Sequence, residues 1–217
     1  MNQIEVMLPI SISVLALIVS GLTLYLSHLR PARIRIVAGE SVHLHYFEEG
    51  NFGITLPVSF VNQGARIGTV SRVALLIQKN GSDEGYLLEP HAYQRLDSNQ
   101  NFLHESTASP ISVPSKSNIL KQVLFKSSVD RPDDFKIVSG KFDLFLFGWT
   151  EGSIRPSAMD EFSIEVSEPV VHQLDEWHKK KITYTIGVLQ SKWRKWSAHR
   201  LTEIEINTLQ KNIKLRD

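Results

Sequence analysis

Two periodicities divide the chain. Residues 6–27, VMLPISISVLALIVSGLTLYLS, run without a charged side chain, whereas beyond Pro31 apolar residues recur at every second position. A helix needs about 20 apolar residues to cross the hydrocarbon core of a bilayer. Pro9 falls in the first turns of such a helix, where a missing N–H does least damage. The pattern predicts a short leader over 1–5, a transmembrane helix over 6–27 and a juxtamembrane linker over 28–32. A cleaved signal peptide and a buried core helix are the competing readings of an apolar stretch near an N-terminus. The leader MNQIE has no Lys or Arg and no small-x-small cleavage site follows. A core helix would be better mixed with polar side chains, so a retained span is the expectation.

From residue 33 the alternation marks half-buried strands. RIRIVAG, SVHLHYF, FGITLPVSFV, TVSRVALLI, GYLLEP, ILKQVLF, GKFDLFLFGWT and EFSIEVS each carry it. Between them lie turn-rich pieces: NQGARIG, KNGSDEG, RLDSNQN, SVDRPDD and TEGSIRPSAMD. About eight strands without intervening helical patterns predict a mainly β chain, an antiparallel sandwich over 33–167 rather than an α/β fold. Residues 168–217 are expected to form a short, basic helical tail.

Charge sharpens this division. Residues 33–167 hold thirteen basic and sixteen acidic side chains, while residues 168–217 hold ten basic and six acidic ones. The body is slightly acidic and the tail basic, a split that points the tail at an anionic partner. Around the apolar run, Arg30, Arg33 and Arg35 follow the span and no basic side chain precedes it. Lys and Arg are retained on the cytoplasmic side, so the flank predicts an external N-terminus and a cytoplasmic domain. An exported domain is the alternative, since long domains can translocate despite such charges. The chain has no cysteine, which excludes disulfides and thiolate chemistry and leaves the compartment open.

LPVSFVNQGARIGTVSRVALLI resembles the strand–turn–strand of bacterial immunoglobulin-like and adhesion-type sandwich modules. SPISVPSKSNILKQVLF is similar to their paired-proline strand leading into a core strand. The resemblance covers residues 33–167 and implies an immunoglobulin-like sandwich, without the cysteine pair of antibody-type members. It speaks to fold and not to activity. Asn62 and Gly64 have a local reading of their own, as residues that tolerate left-handed backbone in a tight turn. A phosphate loop would need a following helix, and a strand follows here.

The most specific chemistry in the body is GESVHLHYFEEGNFG. His43 and His45 share one face of a strand and Glu49 follows four residues later, which looks like part of the first cupin motif. The second cupin motif is missing, and a third ligand would have to come from His91 or His104. The competing reading puts Val42, Leu44 and Tyr46 on the core face and leaves both histidines solvated. Asp130, Asp133 and Asp134 read as an acidic turn, and Asn80-Gly81-Ser82 as a hairpin turn before a glycosylation sequon. No serine sits in a nucleophile elbow. The expectation is a non-enzymatic chain without cofactor, with a metal enzyme centred on His43 and His45 as the outlying alternative.

Two contact surfaces remain. Ser13, Ala16, Ser20, Gly21 and Thr23 draw a small-residue face down the span, suited to packing a second helix, its own copy or a partner's. In the tail, Lys179, Lys180, Lys181, Lys192, Arg194, Lys195 and Arg200 interleave with Trp177, Trp193 and Trp196. If helical, Ile182, Ile186, Leu189, Trp193 and Trp196 form one stripe, although KITYTIGV also alternates as a strand. Packing of that stripe on the sandwich competes with contact to anionic lipid of the inner leaflet, where each cation contributes about 1 kcal/mol. Nucleic acid ranks last because no recognised module accompanies the charge. The role expected is a membrane-anchored interaction or scaffold module contacting another protein. An exported envelope or adhesion sandwich is the second reading.

Overall fold

A computed structural model describes residues 3–47, 51–82, 85–99, 101–127 and 136–191, except for the side chains of residues 3–9. The apolar run folds as α1 (Gln3–Leu24), which widens into π-helical turns at Tyr25–Leu29. The stretch Ile10–Leu29 is long and apolar enough to cross a membrane, and none of it is buried against the rest of the protein. The helix stops at Arg30, ahead of Pro31.

Among the described residues eleven antiparallel strands follow: β1 (Ile34–Ala38), β2 (Ser41–Tyr46), β3 (Phe52–Asn62), β4 (Gly68–Lys79), β5 (Gly85–Leu96), β6 (Phe102–Thr107), β7 (Ile111–Val113), β8 (Ser117–Lys126), β9 (Gly140–Thr150), β10 (Ala158–Val166) and β11 (Ile186–Leu189). The helix α2 (Glu168–Lys179) lies between the last two strands. The strand order runs β10-β9-β4-β5-β8-β3-β2-β11, with β1 on β3, β6 on β5 and β7 on β4. The expected antiparallel sandwich is present, and β5 is its corner. Residues 85–88 of β5 pair with β4, and after Glu89 the strand pairs with β8 through a register shift between Pro90 and Ala92. A bulge of this kind bends a strand from one layer into the other.

The layers close over the inward-facing positions. Phe52, Ile54, Leu56, Val58 and Phe60 of β3 alternate into the core and meet Val73, Leu75 and Ile77 of β4 and Leu144 and Leu146 of β9, all buried. The opposite margin is sewn by β11. Gln190, just past its end, forms a bridge with Ile164 of β10, and its backbone N–H donates to the Glu40 carbonyl at 2.9 Å. Pro57 is tolerated inside β3 because β1 and β2 share that edge and part at Gly39. There the Gly39 N–H reaches the Pro57 carbonyl at 2.7 Å.

Two local expectations are corrected and one is met. Neither Asn62 nor Gly64 adopts left-handed backbone; positive φ occurs at Lys116, Lys181, Gly81, Gly140 and Gly152. Asn62 is instead a buried clasp. Its Oδ1 accepts from the N–H groups of Arg33 and Gly64, and its Nδ2 donates to the carbonyls of Arg66 and Val113. The hairpin turn expected at Asn80-Gly81 does form, joining β4 to β5, with Gly81 at positive φ. In the tail, the continuous helical stripe from Ile182 to Leu189 does not form. The helix α2 ends in a Schellman turn: the Lys181 N–H donates to the His178 carbonyl and the Ile182 N–H to the Trp177 carbonyl, with Lys181 at φ +52°. The reversal sends residues 186–189 back along β2 as β11. Trp177 faces Tyr184 edge-on at 5.2 Å, pinning the return.

Candidate functional site

A site with convergent polar groups lies on the outer face of the layer that contains β2 and β3. The alternation of β2 turns Val42, Leu44 and Tyr46 inward and Ser41, His43 and His45 outward. The two histidines share a face, as the sequence requires, but that face is not simply solvated. His43 is half-buried and His45 is only 4% exposed.

Glycines make room for both rings. His45 stands across from Gly53, where a Cβ would lie 2.6 Å from Nε2 of the imidazole. His43 stands between Thr55 on β3 and Gly187 on β11. The far end of the β5–β6 hairpin brings Phe102 edge-on to His43, with ring centroids 4.9 Å apart. Phe47 meets His45 in the same way at 4.8 Å. Between these walls is a cleft of about 810 Å³, floored by His43 and His45 and flanked by Gln94, Leu96 and Asn101 of the hairpin. Thr183, Tyr184 and Thr185, leading into β11, complete the opposite side.

Electrostatics keep the floor neutral. Burial, then the neighbouring His43 and Lys126, push the His45 pKa down to about 4. Burial also lowers that of His43. Neutral imidazoles can both donate and accept hydrogen bonds. The Thr55 hydroxyl donates to Oε1 of Gln94 at 2.9 Å, fixing the amide against the floor. Nδ1 of His45 is buried without a hydrogen-bond partner among the described residues. Among the described residues the lining carries no Asp, Glu, Lys or Arg.

The metal reading gains little from this arrangement. Glu49 and the acidic turn at Asp130, Asp133 and Asp134 lie outside the described residues, and neither His91 nor His104 lines the cleft. Among the described residues no group of three or more His, Cys, Asp or Glu side chains could hold a metal ion. The imidazole of His45 presents Nε2 to the backbone at Gly53 rather than to open space.

The remaining sequence-derived sites are dispersed. Lys179 and Lys180 are exposed at the end of α2, where Lys180 faces Glu176 at 3.9 Å. Lys181 is exposed in the Schellman turn. Lys192, Trp193, Arg194, Lys195, Trp196 and Arg200 lie outside the described residues. On α1, Ser13, Ala16, Ser20, Gly21 and Thr23 are exposed, and the Thr23 hydroxyl is taken up by the Val19 carbonyl of its own helix at 2.7 Å.

Sequence reasoning identified His43 and His45 and missed Gln94, Phe102, Thr183, Tyr184, Thr185 and Gly187. A signal was present in KITYTIGV. Read as a strand, it places Thr183, Thr185 and Gly187 on one face, the face His43 occupies next door.

No family model matches the chain, and no curated protein matches it. Similar solved structures include a Bacillus subtilis protein assigned as a lipoprotein, at 9% identity and TM-score 0.38, covering 69% of this chain and 42% of that one. The sporulation control protein Spo0M, also from Bacillus subtilis, is similar at 12% identity and TM-score 0.34, covering 69% of this chain and 55% of that one. A protein from Archaeoglobus fulgidus shares 11% identity at TM-score 0.34, with 60% of this chain and 98% of that one covered. The chain thus spans less than two thirds of the first two. Likeness at this level says nothing about what the cleft holds.

Proposed function

We propose that the chain is a membrane-anchored, non-enzymatic binding module whose sandwich stands directly at the bilayer surface. One observation carries this reading: the apolar stretch Ile10–Leu29 finds no cover on the protein's own sandwich. An uncovered helix of this length and composition is stable in lipid and a liability in water. The short link from helix to sandwich adds to it. The Arg30 carbonyl accepts from the Ala65 N–H at 3.0 Å, and the Arg33 carbonyl from the Gln63 N–H at 2.9 Å. The chain is therefore clasped to the β3–β4 turn within a few residues of leaving the helix.

The arginine flank favours a cytoplasmic sandwich. Arg33 and Arg35 alternate with buried Ile34 and Ile36, so both project outward beside the membrane exit. Arginines so placed suit anionic headgroups. Lys179 and Lys180 follow at the opposite end of β3, where His178 packs on Tyr46 beside Phe52, so the arginine flank carries this contact without them. In the second reading, an exported envelope module, the anchor is unchanged and the sandwich faces outward.

Two measurements test the proposal. Alkaline carbonate extraction of native membranes should leave the full chain in the pellet, and its release would remove the anchor. A C-terminal reporter active only in the cytoplasm should give signal; signal from an export-dependent reporter would reverse the orientation and leave the anchored module intact.

A further inference from the structure

We propose that the cleft over His43 binds a neutral, hydroxyl-rich ligand of the saccharide class. This rests on the reading of the sandwich as a binding module and names what that module holds. At about 810 Å³ the cleft lies within the range of small-ligand sites, roughly 300–1,000 Å³. Its polarity then selects the ligand. Recognition of a phosphate, carboxylate or ammonium group sets an opposite charge against it; among the described residues no charged side chain lines this cleft, and the Lys126 ammonium is held over the Phe47 ring at 4.5 Å.

What the cleft offers is uncharged hydrogen bonding. His43, Nε2 of Gln94 and the hydroxyls of Thr183, Tyr184 and Thr185 have no protein hydrogen-bond partner among the described residues. Imidazole, amide and hydroxyl groups together donate and accept, and a sugar hydroxyl does both. These groups are also held in place. Thr55 orients Gln94, the edge of Trp177 supports Tyr184, and the bare Gly187 leaves one side of the His43 ring open.

Aromatic walls add the apolar part of the site. Phe102 and Phe47 stand edge-on to the imidazoles they touch, at 72° and 84°. Beside the neutral polar groups they offer the C–H face of a sugar ring an apolar surface. Among the described residues no carboxylate lines the cleft, and the role proposed for it is capture of the ligand.

The test uses the full chain in phosphatidylcholine nanodiscs, because alkyl glycoside detergents would compete for the site. Calorimetric titration is run with maltotetraose, cellotetraose and chitotetraose N-acetylated throughout, and in parallel with tetragalacturonate and adenosine. At least one neutral oligosaccharide should bind saturably, and Gln94→Leu combined with Tyr184→Ala should weaken it about tenfold or more. Thr185→Val, an exposed and nearly isosteric change, serves as the second variant if the double variant does not fold, and should weaken binding several-fold. Absence of binding by all three neutral probes overturns the proposal. So does preference for tetragalacturonate or adenosine, or binding that the folded variants leave unchanged. Carbonate extraction reports on the anchor separately, and a protein released from the membrane is titrated in buffer instead. The two readings therefore fail independently.

Discussion

Gly64 packs so closely on Pro31 that a Cβ at position 64 would overlap the Pro31 carbonyl and crowd the Ala32 Cα. The backbone at Gly64 is not left-handed, so what the glycine supplies is space rather than conformational freedom. Through this contact the β3–β4 turn receives the chain as it leaves the helix. Gly64→Ala should therefore destabilise the sandwich by about 2 kcal/mol, the scale of overpacking against backbone that cannot retreat. Denaturant unfolding of the full chain checks this. Gly81→Ala tests the other role of glycine: nothing lies within 4 Å of a Cβ there, and any loss comes from its φ of +81°.

His45 makes stability depend on pH. Its pKa is about 4 in the folded protein against an ordinary 6.5, so below pH 6.5 the unfolded chain binds a proton that the folded one refuses. Stability from this group is fully present above pH 6.5, declines as pH falls, and levels off below about pH 4. The whole window is worth about 3 kcal/mol. Unfolding free energies measured from pH 7.5 to 4 should show that slope, and His45→Gln should flatten it. An equal slope in the variant would assign the dependence to other groups.

The strands were legible because each turns one face to a core, and burial of alternate residues is a local pattern. Ile34, Ile36 and Ala38 of β1 show it, as do Phe142, Leu144 and Leu146 of β9. Asn62 and Gly64 were recognisable as special but for the wrong reason. Their partners, Pro31, Arg33 and Val113, are brought together only by the fold. The strand β11 was ambiguous because KITYTIGV fits both periods, and the free edge of β2 decided the matter. Of the cleft, the His43–His45 pair was legible because both residues lie on one face of one strand. Gln94, Phe102 and Thr185 come from segments that periodicity cannot relate, and the burial of His45 follows from packing by Phe47 and Gly53.

The turn after α2 is built on a strained residue. Lys181 holds φ +52° at the position where a Schellman motif ordinarily places glycine. Nothing in the turn uses its Cβ, and the hydrogen bonds of the motif are backbone ones. Lys181→Gly should therefore raise stability by about 1 kcal/mol, the cost of left-handed backbone in a residue with a side chain. Lys180→Gly, at ordinary φ, should lower it instead. Thermal melts of the two variants against the parent chain discriminate these outcomes by sign.

The span carries the remaining test. Ser20 and Gly21 lie on the small-residue face of α1, nothing stands within 4 Å of a Cβ on Gly21, and the Thr23 hydroxyl is already committed to Val19. Close approach of a second helix would then depend on the size of residues 20 and 21 more than on hydroxyl bonding across the contact. Ser20→Leu with Gly21→Leu should abolish self-association in a membrane two-hybrid assay, whereas Thr23→Val should leave it nearly unchanged. The leucine pair keeps the segment apolar, so insertion is preserved and serves as the internal control. Equal signal from the parent and the leucine variant would mean that this face is not where copies meet.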